Sequence, residues 1–169
     1  VVQNWQAVGN AGFGQSNGWM NIDVNSNGTL YTAFRDMGAI NLQNYSGLLS
    51  VMEYDSISST WSYVPYQGGV NNTSSVSGVD LQISSSGVLY AAFSELGNTG
   101  SVMSFDGSNW NYVGSQSFYS PDANIVLQFD DNDVPYIAFK DNNSSSGHGV
   151  SVMRFNGSNW DYVGVQGLG

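Results

Sequence analysis

Apolar and polar residues alternate in twelve short runs along the chain, and the runs recur in three groups of four. In the last group they cover residues 125–129, 135–139, 150–155 and 160–163. Runs rich in Val, Ile, Tyr, Phe and Trp and bounded by Gly, Asn, Asp and Ser are typical of β-strands. No segment combines the apolar spacing and the caps of a helix. The pattern therefore predicts an all-β fold with four strands, A to D, in each group.

A Trp-centred phrase marks the period of these groups. Its copies begin at Asn4-Trp5, Thr60-Trp61, Asn109-Trp110 and Asn159-Trp160, and successive Trp residues lie 56, 49 and 50 positions apart. A fixed period in this range indicates stacked units that cannot bury their sheet faces alone. We assign one domain, residues 1–169, with repeats over 1–64, 65–113 and 114–164. Residues 4–8, which carry a fourth copy of the phrase, are predicted to form an extra N-terminal strand.

The connections between the strands alternate in length. The A–B and C–D turns are short, and their Asn-Gly and Asp-Gly pairs supply the positive φ that a tight hairpin needs. The B–C and D–A connections are long and dissimilar, for example residues 37–47, 10–18, 65–77 and 115–123. In an up-and-down sheet the long connections share one edge. Because binding residues concentrate on such loops, we expect recognition at this long-loop face.

The strands carry motifs that resemble a known repeat. Residues 31–34, 90–93 and 136–139 have the pattern Tyr-x-Ala-Phe, and residues 107–110 and 157–160 read Gly-Ser-Asn-Trp. These motifs resemble bacterial and phage-type β-propeller repeats, and the corner is distantly similar to the Asp-box of sialidases. The resemblance implies that each group of four strands is one propeller blade. It implies no particular activity, because propellers host many unrelated ones.

Three blades are too few for a closed propeller, which usually has about four to eight. A three-bladed chain leaves two blade faces exposed, and such large apolar patches mark interaction sites. Two copies joined head to tail would form a ring of six blades and cover all four faces. We therefore expect the chain to form a homodimer. The alternative is that the chain is a piece of a longer repeat array.

The surplus N-terminal strand bears on this assembly. In a ring it would be the outer strand of the preceding blade, a place that the partner's own Trp160 strand already fills. We expect residues 4–8 to latch onto the neighbouring subunit and to leave one terminal strand extra or displaced. The latch residues are Asn4, Trp5, Val8, Trp160 and Tyr162. Alternatively, the extra copy marks a cut within an array.

The composition indicates which classes of partner the protein is not expected to bind. The formal net charge is −10, and the only basic residues are Arg35, Lys140 and Arg154. Phosphate binding requires clustered Lys and Arg, so nucleic acid is not an expected partner. No apolar run approaches the length of a membrane span, so no membrane insertion is expected. The low charged fraction of 9% and the many Gly, Ser and Asn residues favour an extracellular or particle-surface protein, such as a virion component.

The sequence offers little catalytic chemistry. The single His, His148, lies in a Ser/Gly-rich loop, and no Cys is present for a zinc site or a disulfide. Asp36, Glu95 and Asp141 share one repeat position, which favours a structural role over an acid and base pair. We expect no enzyme activity, no cofactor and no metal. A glycoside hydrolase that uses channel carboxylates, such as Asp23, is an alternative.

Aromatic residues near the long-loop face are the candidates for ligand binding. Aromatic planes beside amides and carboxylates suit sugar rings, although the same side chains also serve as packing between blades. The candidate residues are Phe13, Trp19, Tyr66, Tyr119, Arg35, Lys140 and Asp23. Arg35 and Lys140 share a repeat position and are expected to pair with Asp36 and Asp141. The leading hypothesis is a non-catalytic binding or structural module whose first partner is itself, and the alternative is a glycan-binding lectin.

Overall fold

The computed structural model describes residues 4–40, 46–71, 74–142 and 149–167, which form an all-β fold. The described residues contain twelve strands in three four-stranded antiparallel sheets, as the sequence predicts. The strands are β1 Ser16–Val24, β2 Leu30–Ile40, β3 Ser46–Asp55, β4 Thr60–Tyr63, β5 Val76–Ile83, β6 Leu89–Glu95, β7 Thr99–Phe105, β8 Trp110–Tyr112, β9 Pro121–Phe129, β10 Pro135–Asp141, β11 Gly149–Phe155 and β12 Trp160–Tyr162.

Each sheet keeps its strands in chain order, so that β1–β4, β5–β8 and β9–β12 form blades 1, 2 and 3. The first strands lie side by side, with β1 against β5 and β5 against β9. We call the contact between neighbouring blades a seam. Blade 2 therefore has a seam on each face, whereas blades 1 and 3 each have one.

Several connections are shorter than the sequence predicts. Strand β1 begins within the predicted loop 10–18, β5 within 65–77, and β9 within 115–123. Each of these strands has a register shift near its start, as between Ser16 and Met20. A bulge of this kind lets a strand continue past an irregular residue. Likewise, β2 extends to Ile40 and β3 begins at Ser46, so much of the predicted loop 37–47 is strand.

The extra N-terminal strand is a correction. Residues 4–7 have no regular secondary structure. A strand needs a neighbouring edge to satisfy its backbone groups, and the predicted edge belongs to another subunit.

The hydrophobic core lies in the two seams. Leu49 and Val51 of blade 1 pack with Leu81 and Phe93 of blade 2 in one cluster. A second cluster joins blades 2 and 3 and is formed around Val102, Leu127 and Ile137, among others. Three methionines that share one repeat position are buried: Met52, Met103 and Met153. The described residues contain no helix long and apolar enough to span a bilayer.

Candidate functional site

Blade 1 buries an acidic side chain, Asp36, within a shell of neutral donors. Its carboxylate accepts hydrogen bonds from Ser50 Oγ at 3.0 Å and Gln67 Nε2 at 3.0 Å. The backbone N–H of Gly38 at 2.9 Å and the hydroxyl of Tyr63 at 3.2 Å also donate to it. Burial, followed by the charge of Asp36, raises the pKa of Tyr63 to about 12. This carboxylate anchors the loop after β4 to its own blade.

The other blades repeat this arrangement with one change. In blade 3, Asp141 accepts hydrogen bonds from Ser151 Oγ at 2.7 Å and Gln166 Nε2 at 2.9 Å. In blade 2 the acid is Glu95, which is one methylene longer and accepts from Asn71 Nδ2 at 3.1 Å. All three acids are buried and bonded, which favours the structural role that their shared repeat position suggests.

The inner-strand carboxylates join neighbouring blades. Asp23 Oδ2 accepts the backbone N–H of Ile83 at 2.8 Å, and Asp80 Oδ2 accepts that of Leu127 at 2.6 Å. Burial is the main cause that raises the pKa of Asp80. Asp23, a candidate for ligand binding or for channel catalysis, is thus engaged in the seam between blades 1 and 2.

No group of three or more His, Cys, Asp or Glu side chains suited to a metal ion occurs in the described ranges. The acidic turn at residues 130–133 is held by its own Asp130, whose Oδ1 accepts the backbone N–H groups of Asn132 at 2.9 Å and Val134 at 3.0 Å. His148 lies outside the described residues.

Two of the aromatic candidates are engaged in packing. Tyr119 is buried and donates its hydroxyl proton to the carbonyl of Phe93 at 2.9 Å, so it presents no surface to a ligand. This corrects its place among the candidates. Phe13 stacks on Trp61 with ring centroids 4.5 Å apart, although it stays partly exposed.

Two other candidates line one cavity. Trp19 and Lys140 border a space of about 380 Å³ together with Val79, Val126 and Val150, so that its lining comes from all three blades but mostly from blade 3. Arg35 does not lie there. Its Nε is buried without a hydrogen-bond partner among the described residues, and its side chain packs against Gly47. Asp36 is satisfied by neutral donors, so an ion pair with Arg35 is not needed to account for its burial.

The seam between blades 1 and 2 holds a cavity that the sequence pattern did not predict. Phe13 stacks on Trp61, and Phe118 stacks on Trp160 with centroids 5.0 Å apart. The residue at the repeat position of Phe13 and Phe118 that belongs to the Trp110 contact is Gly69. Beside Trp110 lies a cavity of about 280 Å³, whose lining includes Tyr66, Asn109, Tyr112 and Gln116. The change from Phe to Gly at one repeat position is the signal that could have located it.

Gln116, which lines this cavity, also departs from the repeat. Its repeat equivalents, Gln67 and Gln166, are bonded to Asp36 and Asp141. The described structure gives the Gln116 amide no such bond, and the side chain is exposed. The cavity between blades 1 and 2 thus combines two phenols, Tyr66 and Tyr112, with the Gln116 amide beside the buried indole of Trp110. Phenol rings and amides are groups that bind the faces and hydroxyls of sugar rings.

The outer faces of blades 1 and 3 are uncovered and apolar. On blade 1, Met20 is 62%, Ile22 64% and Val24 51% exposed. The residues equivalent to Ile22 in the other blades, Leu81 and Leu127, are 0% exposed. We call Met20, Ile22 and Val24 open face 1.

On blade 3, Val126 and Val150 are each 53% exposed, and we call this pair open face 3. The residue equivalent to Val150 in blade 1, Leu49, is fully buried in a seam. Both open faces therefore present side chains at positions that an interior seam buries.

The latch residues lie at the two ends of the molecule. Trp5 is fully exposed, and Asn4 is exposed beside it. The carbonyl of Val8 accepts the indole N–H of Trp61 at 3.0 Å. In blade 3, Trp160 is buried, and the Tyr162 hydroxyl donates to Asp141 at 3.5 Å.

No protein-family model and no curated sequence matches the chain. Its structure resembles a fucose lectin from Kordia zhangzhouensis in complex with methyl-fucoside, with a TM-score of 0.54 and 14% identity. The match covers 86% of this chain and 98% of the lectin, so the two chains are of similar size.

Two larger structures are also similar. A protein of unknown function from Dyadobacter fermentans has a TM-score of 0.56 and 14% identity, with 86% of this chain and 41% of that one covered. An α-L-arabinofuranosidase from Fusarium graminearum with an iminosugar inhibitor has a TM-score of 0.54 and 11% identity, with coverage of 86% and 47%. The chain spans less than half of each. At these identities the likeness concerns the fold, which is propeller-like.

Proposed function

We propose that the protein is a non-catalytic propeller module whose open faces close a six-bladed ring with a second copy. The exposure of Ile22 on open face 1, at a position that the other two blades bury completely, carries this proposal. Apolar area removed from water contributes roughly 25 cal/mol per Å², so covering both faces favours association. A setting outside the cell or on a particle surface, expected from the composition, belongs to the same proposal.

The chemistry of the two ends supports a contact between copies. Within the chain, Asp80 of blade 2 caps the backbone of β9 in the next blade. The equivalent position in blade 3 is Val126, which belongs to open face 3. A buried carboxylate needs fixed partners, whereas valine needs only an apolar surface, such as open face 1. The seam between copies would therefore rest on apolar contact.

The absence of catalysis is part of the proposal and rests on how the carboxylates are used. Asp36 and Asp141 are buried and accept hydrogen bonds from serine and glutamine side chains, and Asp23 and Asp80 bind backbone N–H groups of neighbouring blades. A glycosidase needs one carboxyl group to protonate the leaving group and a second to attack or to activate water. None of these four is held ready for that work.

A charge on open face 1 tests ring closure. We expect Ile22→Asp to convert a dimer to a monomer in light scattering, because a buried unpaired carboxylate is costly. The control is Ile57→Asp, since Ile57 is 95% exposed in the turn after β3. A dimer that is equally stable in both variants would contradict closure through open face 1.

Glycan binding is a second candidate, and the cavity beside Trp110 favours it. Its lining provides the exposed ring and the hydroxyl of Tyr66 together with the amide of Gln116. The similar lectin from Kordia was solved with methyl-fucoside, which supports testing sugars without assigning fucose here.

A glycan array followed by calorimetry with the strongest hit tests this candidate. We expect Tyr66→Ala and Gln116→Ala to weaken binding about tenfold each, the equivalent of one lost contact. Trp19→Ala, which alters the other cavity, is the matched control and should leave the affinity unchanged. Binding that depends on Trp19 and not on Tyr66 would move the site to the cavity on blade 3.

A further inference from the structure

The same contact recurs at each seam, so the contacts of the first and last blades can be compared with those of an interior seam. At the interior seams, Trp110 Nε1 donates to the Val64 carbonyl at 3.0 Å, and Trp160 Nε1 donates to the Val113 carbonyl at 2.7 Å. Trp61 makes the same bond to Val8 at 3.0 Å, although no blade precedes blade 1 within the described residues.

The glycines that follow Val8 and Val113 show the same equivalence, whereas Val64 is followed by Pro65. A Cβ atom on Gly114 would lie 3.1 Å from Trp160 Cδ1, and one on Gly9 would lie 3.0 Å from Trp61 Cδ1. A Cβ atom on Gly164, which follows Val163, would meet nothing within 4 Å. We call residues 4–9 the N-terminal segment. Its Val8 and Gly9 thus occupy the place beside Trp61 that the end of a preceding blade would occupy.

An interior fourth strand pairs with its own blade, and the residues after it contact the next blade. The N-terminal segment makes only the second kind of contact, and β12 makes only the first. The N-terminal segment contacts the following blade but pairs with no strand. Strand β12 pairs with β11, and the backbone N–H of Val163 donates to Val152 at 2.8 Å, but Val163 and Gly164 face no following blade. When a second copy covers open face 1, only one of the two ends can lie beside Trp61.

The contacts within blade 3 indicate which of the two ends lies beside Trp61 in the ring. Tyr162 and Gln166 bind the buried Asp141, and the N–H of Gly167 donates to Ser151 Oγ at 2.9 Å. The repeat equivalents of Tyr162 and Gln166 in the N-terminal region are Ala7 and Ala11. If the N-terminal segment replaced β12, Asp141 would lose two donors, and an unsatisfied buried acceptor is costly. If the N-terminal segment leaves, its bond to Trp61 can be replaced by Val163.

Resting on the proposed ring closure, we infer that the N-terminal segment is an intramolecular plug of the dimer interface. In the single chain it covers Trp61. In the ring, residues 163–167 of the partner take its place, and the Trp61 indole donates to the carbonyl of Val163 of the partner subunit. The segment therefore competes with dimerisation, whereas the latch predicted from the sequence would promote it.

Two matched glycine variants separate the plug from the latch. Gly9 and Gly164 both have positive φ, 72° and 82°, so the backbone strain of a substitution is similar at each. Gly9→Leu expels the N-terminal segment from Trp61. Gly164→Leu places a side chain where the partner's Trp61 would pack, in a region that is empty in the single chain.

Sedimentation equilibrium measures the dimer dissociation constant of each folded variant. We expect Gly9→Leu to tighten the dimer about tenfold and Gly164→Leu to weaken it by a similar factor, each corresponding to about one contact. The reverse pattern, or no change in either variant, overturns the plug and leaves ring closure standing. If the parent and both variants stay monomeric at every concentration, ring closure itself fails, and the plug fails with it.

Discussion

At the scale of single residues, the repeated acids explain more than any candidate ligand residue. Asp36 gathers donors from the third strand, the fourth strand and the loop that follows. The sequence predicted a structural role from repeat equivalence alone. One partner of Asp36, Gln67, also recurs three residues after the Val of each of the last three Trp phrases, but the sequence does not show that its amide reaches the carboxylate. Tyr119 shows the opposite error, since an aromatic in a predicted loop is in fact a buried packing residue.

Replacing Asp36 tests this network. Asp36→Asn exchanges a carboxylate oxygen for an NH₂ group that cannot accept from Ser50, Tyr63 or Gln67, so we expect the free energy of unfolding to fall by about 2 kcal/mol. Denaturant titration measures it. The control is Asp55→Asn, since this carboxylate sits in an exposed turn and should matter much less. Equal losses would contradict the proposed anchoring role.

The Asp36→Asn variant should also change the pKa of Tyr63. Burial and then the charge of Asp36 raise the pKa of Tyr63 from 10.0 to about 12. A raised pKa adds stability that is full below pH 10.0 and is lost as the pH rises through about 12. In Asp36→Asn the neighbouring charge is gone, so the Tyr63 pKa measured by NMR should move back toward 10.0. An unchanged pKa would show that burial alone sets it.

At the scale of elements, the alternation of apolar and polar residues predicted the strands and their order correctly, but it placed the start of the first strand of each blade too late. The shift arises because β1, β5 and β9 pass through bulges that interrupt the alternation on which the prediction depends. The Trp phrase itself has a structural meaning that sequence could not provide. Its indole N–H bonds the carbonyl of the preceding unit and fixes one blade to the next.

A pair of Trp variants tests this meaning. Trp160→Phe removes the indole N–H and leaves the Val113 carbonyl unsatisfied within the seam, so we expect a loss of about 1–3 kcal/mol in the free energy of unfolding. Trp5→Phe changes the same residue type in the same phrase, but this side chain is fully exposed and should have almost no effect. Thermal unfolding compares them. Similar losses would place Trp5 in a packed environment.

At the scale of the whole molecule, repeat counting anticipated the uncovered faces, and the structure identifies their residues as open faces 1 and 3. The pattern could not reveal the cavity beside Trp110. That cavity lies where Gly69 replaces the Phe that stacks on Trp61 and on Trp160. Departures from the repeat, rather than the repeat itself, mark the positions where this molecule differs from a plain scaffold.

The mass of the unmodified protein in solution tests the central claim most directly. Light scattering after size-exclusion chromatography, over a range of concentrations, gives it without reference to shape. Ring closure predicts a folded species with twice the chain mass of 18.1 kDa at high concentration. A folded, single-chain mass of 18.1 kDa at every concentration would contradict it.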